Sequence, residues 1–81
     1  MKKILYFSAS WCGPCKTLGP IMESLSGQIN YEKIDVDQNQ DLSIKYGVRN
    51  IPTLILLKDG EAVNRMTGLQ PKQQILNFYN G

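Results

Sequence analysis

Apolar residues in this chain recur with three different spacings, and each spacing predicts a different element. Ile4-Leu5-Tyr6-Phe7 is a short continuous run, and we read a strand over Ile4–Ser8. From Cys12 onward, Cys15, Leu18, Ile21, Met22 and Leu25 fall three or four apart, which lays one stripe along a helix; Gly27 is its predicted stop. Tyr31–Val36 alternates as a strand, with Ile34 and Val36 on one face and Lys33 and Asp35 on the other. Asp41–Tyr46 predicts a short helix ended by Gly47. Thr53–Leu57 is β-prone and apolar throughout, as expected of a strand covered on both faces. The Asp59-Gly60 pair then predicts a tight turn, with Ala62–Thr67 returning antiparallel. Pro71 suits the first turn of a last helix, in which Ile75, Leu76, Phe78 and Tyr79 face the core.

The resulting order is β-α-β-α-β-β-α. Two strands joined through a helix run parallel, and the final pair is a hairpin. A four-stranded mixed sheet with helices on both faces follows, in the α/β class. No linker, repeat or low-complexity stretch divides residues 1–81, so a single domain is expected.

Composition narrows the partners. The net charge of +2 is too small for the dense basic face that nucleic acid requires, so no nucleic-acid role is expected. The longest apolar runs are far too short to span a bilayer. Lys2-Lys3 followed by apolar Ile4–Phe7 hints at an export signal, but the stretch is four residues where about seven or more are needed. A cytoplasmic location is therefore expected, and in a reducing cytosol two cysteines are catalytic or metal-binding sooner than a permanent staple.

The two cysteines sit in Trp11-Cys12-Gly13-Pro14-Cys15, at a predicted helix start. Thiols at that spacing close and reopen a disulfide with little backbone movement, which suits dithiol–disulfide exchange. The attacking group must be a thiolate, and a free thiol near pKa about 8.5 is mostly protonated at neutral pH. Unpaired N–H groups and the positive end of the helix dipole favour the anion at Cys12. Cys15 belongs to the inward stripe, so Cys12 is expected to be the more exposed sulfur, the nucleophile, with Cys15 resolving. The competing reading is half a zinc site, but the chain has no histidine and no third cysteine to complete four ligands.

The Trp11–Cys15 string resembles the active site of the thioredoxin family. Ile51-Pro52-Thr53 is similar to that family's cis-proline loop, Asp35–Gln40 to the stretch after its second core strand, Lys58-Asp59-Gly60 to its hairpin turn, and Gly68 to a glycine in a substrate-facing loop. The resemblance covers nearly the whole chain and implies a thioredoxin-like fold and reduction of protein disulfides. It implies client contacts at Trp11, Gly13, Pro14, Ile51, Pro52 and Gly68, with the Ile51 backbone free to pair with an extended segment. Trp11 also has the plainer reading of a core aromatic, and Gly68 that of an ordinary loop residue. Gly13 and Pro14 supply no cation, so the Cys12 thiolate is only moderately stabilised and the pair should favour its oxidised form, as a reductant does.

Two departures stand out. The family's usual N-terminal strand and helix have no counterpart before Ile4, a trimmed form that small phage or prophage members resemble. Six positions before Cys12 stands Tyr6, where typical members bury an aspartate that assists Cys15, paired with a lysine matched here by Lys33. An ordinary phenol titrates near pH 10 and makes a poor base at neutrality, which leaves Cys15 to be activated more slowly, or through Lys33, Asp35 or solvent. Simple packing is the alternative role for Tyr6.

No cofactor is expected on the chain, since the electrons reside on Cys12 and Cys15. The resemblance implies a monomer recycled by a thioredoxin-reductase-type enzyme that draws on NADPH. Its partners would be disulfide-bearing client proteins, with ribonucleotide reductase the natural client if the gene is of phage origin. A glutathione-coupled, glutaredoxin-like reductant and a non-catalytic binding subunit on the same fold remain as alternatives; Gly13-Pro14 in place of Pro-Tyr speaks against the first.

Overall fold

The structure, a computed structural model, describes residues 1–81. In chain order the elements are β1 (Lys2–Ser8), α1 (Gly13–Ser24), β2 (Tyr31–Asp35), α2 (Gln40–Lys45), β3 (Thr53–Lys58), β4 (Glu61–Thr67) and α3 (Lys72–Asn80). One four-stranded sheet has the order β2-β1-β3-β4. β1 pairs parallel with β2 and antiparallel with β3, and β3 pairs antiparallel with β4. This is the expected mixed sheet.

The two apolar strands run through the middle because both of their faces are covered. On one face Ile4, Tyr6, Leu54 and Leu56 pack with Leu18, Met22 and Leu25 of α1 and its turn, and with Ile75 of α3. On the other, Leu5, Phe7, Ile34 and Ile55 pack beneath Leu42, Tyr46 and Val48 on and after α2. Alternate residues of one strand thus serve two cores, which explains the unbroken apolar runs. Each fully buried aliphatic side chain contributes about 1.5–3 kcal/mol, so β1 and β3 anchor the sheet under the site. The edges read differently: β4 is exposed from Glu61 to Arg65, and only Ile34 is buried in β2.

Beyond one-residue shifts in β2, α2, β3 and β4, the element ends differ from expectation at β1, α1 and Pro71. β1 starts at Lys2, two residues early, because Lys2 and Lys3 pair with Lys58 and Leu57 across β3. α1 stops at Ser24, short of Gly27. The Leu25 and Ser26 N–H groups turn back to the Met22 and Glu23 carbonyls (3.0 and 3.1 Å), which tightens the last turn before Gly27 is reached. Pro71 caps α3 from outside its first turn. Elsewhere the punctuation holds. Gly47 (φ 64°) follows α2, and Asp59 (φ 52°) with Gly60 (φ 86°) makes the tight hairpin turn, whose backbone needs positive φ at both positions. The Asp59 N–H donates to the Met1 carbonyl (2.9 Å), and the Asp59 carboxylate pairs with the terminal ammonium, which holds it below the usual carboxylate range. No helix is long and apolar enough to cross a membrane.

Candidate functional site

Cys12 and Cys15 form a disulfide at the start of α1, with Cα atoms 5.2 Å apart. Cys12 occupies the N-cap, with extended backbone (φ −85°, ψ 116°), and its Sγ accepts the Cys15 N–H at 3.2 Å. Gly13 and Pro14 make the first turn; the N–H that Pro14 lacks would have had no helical partner there. The motif is therefore built as a helix start, with a sulfur where Ser or Asp would otherwise cap.

The expected difference in exposure is not observed. Cys12 and Cys15 are each 5% exposed. As the capping residue, Cys12 folds its sulfur back over the first turn, where Ala9, Val36 and Ile51 also pack. The two sulfurs differ in their electrostatic setting, since only Cys12 Sγ receives an amide hydrogen from the helix start.

Around the disulfide the structure gathers the other residues singled out in the sequence. The Ile51–Pro52 peptide bond is cis, Pro52 is buried, and Ile51 packs against the two cysteines. The Pro52 carbonyl accepts the Gly68 N–H at 2.8 Å, and Gly68 reaches it with φ 83°, a conformation that side chains disfavour. Neither the N–H nor the C=O of Ile51 takes part in a backbone hydrogen bond. Trp11 is 66% exposed, so it is no core residue. Its Nε1 donates to Asp37 Oδ2 at 2.8 Å, a partner 26 residues away that nothing near Trp11 announces.

Beneath the disulfide lies Tyr6, 1% exposed, whose hydroxyl donates to the Cys15 carbonyl at 3.0 Å. Burial pushes its phenol above the ordinary value; Tyr31 adds to the rise and the Ser8 hydroxyl opposes it. Tyr6 is thus both a packed core ring and a hydrogen-bond donor to the active-site turn. Lys33 is its register partner across β1 and β2. The lysine lines a cleft of about 150 Å³ together with Ser8, Ala9, Ser10, Cys15, Lys16 and Asp35. Ser8 and Asp35 belong to this surround although no motif flagged Ser8; only the parallel pairing Ser8↔Asp35 sets them side by side.

Comparison with known proteins agrees with this geometry. The thioredoxin family model matches residues 1–80. A thioredoxin of Staphylococcus epidermidis is 46% identical, with 90% of this chain and 74% of that protein aligned. One from Haemophilus influenzae is 43% identical over 95% of this chain and 76% of its own length. Among solved structures, a single-site mutant of a Halobacterium salinarum thioredoxin superposes with a TM-score of 0.93 at 43% identity, covering 98% of this chain and 72% of that one. Thioredoxin from Fasciola hepatica gives 0.88 at 32% identity, over 96% of this chain and 80% of that one. The disulfide-bonded Cys-Gly-Pro-Cys turn, its capped helix and the matched fold lead to one conclusion: the chain belongs to the thioredoxin family and is a thiol–disulfide oxidoreductase that reduces protein disulfides.

Proposed function

We propose that residues 1–81 act as one domain in which Cys12 attacks and Cys15 resolves. The carrying observation is the amide hydrogen that Cys15 N–H gives to Cys12 Sγ at the helix N-terminus, because it stabilises negative charge on that sulfur alone. In the reduced protein the Cys12 thiolate attacks one sulfur of a client disulfide. A Cys12–client bond forms, and the other client sulfur leaves as a thiolate and is protonated. Cys15 loses its proton and attacks Cys12 Sγ, which closes the Cys12–Cys15 bond and expels the second client thiolate. Two electrons pass to the client, and the protein ends oxidised.

The client is held as an extended segment. Ile51 offers an unused N–H and C=O beside the disulfide, in the manner of strand addition, while Trp11, Gly13, Pro14 and Gly68 form the surrounding rim and the buried cis-Pro52 sets the direction of the Ile51 backbone. A thioredoxin-reductase-type enzyme in the cytoplasm returns the electrons. The experiment is trapping. Cys15→Ser mixed with oxidised insulin should accumulate a mixed disulfide at Cys12, whereas Cys12→Ser should accumulate none; a trap of equal yield at Cys15 would overturn the assignment. Recycling by thioredoxin reductase and not by glutathione is expected of the same protein, and efficient glutathione recycling would place it with the glutaredoxin-like reductants.

A further inference from the structure

The resolving step needs the Cys15 proton to go somewhere, and the group directly beneath cannot take it. The Tyr6 hydroxyl is committed as a donor to the Cys15 carbonyl, and its ring fills the core under α1. The open side of Cys15 is the cleft of about 150 Å³. On this measure one water needs only about 10–15 Å³, so the cleft admits a short chain of them. The charged groups facing it are Lys16 from α1 and Lys33 and Asp35 from β2, with hydroxyls from Ser8 and Ser10 at the end of β1. Ile51, on the remaining side of the disulfide, brings no charge. Lysine ammonium groups only donate, so Asp35 is the sole carboxylate lining the cleft and the one group there suited to accept a proton. It is half-buried; Oδ1 accepts the Asp37 N–H at 2.8 Å, and no protein donor reaches Oδ2.

We propose that Asp35 accepts the Cys15 proton through solvent in this cleft, with Lys16 and Lys33 balancing the charge. The proton leaves Cys15 Sγ as that sulfur attacks Cys12 Sγ, and it passes by way of the Asp35 carboxylate to bulk solvent or to the departing client thiolate. No electrons move through Asp35. It is a positioning residue for the proton, in a different place on the sheet from Tyr6. The inference rests on Cys12 attacking first.

A symmetrical aromatic disulfide, 5,5′-dithiobis(2-nitrobenzoate), separates the steps, since the Cys12 attack releases one coloured thiolate and the Cys15 attack a second. In stopped-flow mixing, Asp35→Asn should release the first at the wild-type rate. The second should slow at least about tenfold at pH 7, less than the 10²–10⁴ of a directly placed base because solvent intervenes. Its rate should then climb with pH where the wild type flattens, and added imidazole should restore part of the loss. Asp41→Asn, an exposed carboxylate on α2, should behave as the wild type. A second release at the wild-type rate, both releases slowed alike, or a loss that neither pH nor imidazole repairs would each overturn the role of Asp35. If instead Cys12→Ser still gives a fast first release, it is the order of attack that fails.

Discussion

Replacing Tyr6 with phenylalanine removes one hydroxyl and leaves the ring, so its effect can be worked from a single contact. The hydroxyl donates to the Cys15 carbonyl at 3.0 Å in a buried setting, and such a bond contributes about 0.5–1.5 kcal/mol net. No cavity opens. In a chain of 81 residues a loss of about 1 kcal/mol lowers Tm by roughly 4–8 °C. The pH dependence gives a second handle. Burial raises the folded-state phenol above its unfolded value of about 10, so this group's contribution is whole below pH 10 and is lost as pH climbs through the folded value. Phenylalanine has no such loss. The gap between wild type and Tyr6→Phe should therefore be about 1 kcal/mol at pH 7 and narrow above pH 10, by at most about 1.4 kcal/mol per pH unit. Tyr31, Tyr46 and Tyr79 remain in both proteins and cancel. Urea unfolding of the oxidised proteins from pH 7 to 11 measures it. A gap that stays constant over that range, or a Tyr6→Phe protein as stable as the wild type at pH 7, refutes the reasoning.

Leu18, fully buried between α1 and the sheet, should cost about 2–5 kcal/mol on Leu18→Ala, read as a lower urea midpoint at unchanged slope; a loss under 1 kcal/mol would mean the helix is not docked as described. Asp37→Ala should free the indole of Trp11, the chain's one tryptophan, and lower its fluorescence anisotropy, with stability changed by no more than about 1 kcal/mol because the pair is exposed. Unaltered anisotropy would show that the Trp11–Asp37 bond does not hold the ring in solution.

Much of this is legible in the chain because the governing signals are local. The unbroken apolar runs at Ile4–Phe7 and Thr53–Leu57 announce strands with both faces covered, and Asp59-Gly60 announces its own turn chemistry. The Cys-Gly-Pro-Cys spacing carries the site and the family together. What escapes depends on geometry between distant residues. The end of α1 falls earlier than its pattern predicts because backbone N–H groups at Leu25 and Ser26 find carbonyls before Gly27 can act as a stop. The sulfurs are equally covered because capping folds Cys12 inward, which periodicity does not encode. Asp37 under Trp11, and Ser8 with Asp35 beside Cys15, meet only through the parallel pairing of β1 and β2 and the turn beyond it. Lys33 stands opposite Tyr6 as expected, yet its neighbours in the cleft are Cys15 and Asp35, and the tyrosine bonds elsewhere.

The central claim is that Cys12 and Cys15 form a reducing couple, and its equilibrium potential tests this most directly. Incubated in glutathione buffers of graded poise and quenched with an alkylating agent, the pair should titrate near the figure of about −270 mV known for thioredoxin. A midpoint near −120 mV, where the oxidant DsbA lies, or a pair that never closes an intramolecular bridge, would contradict it.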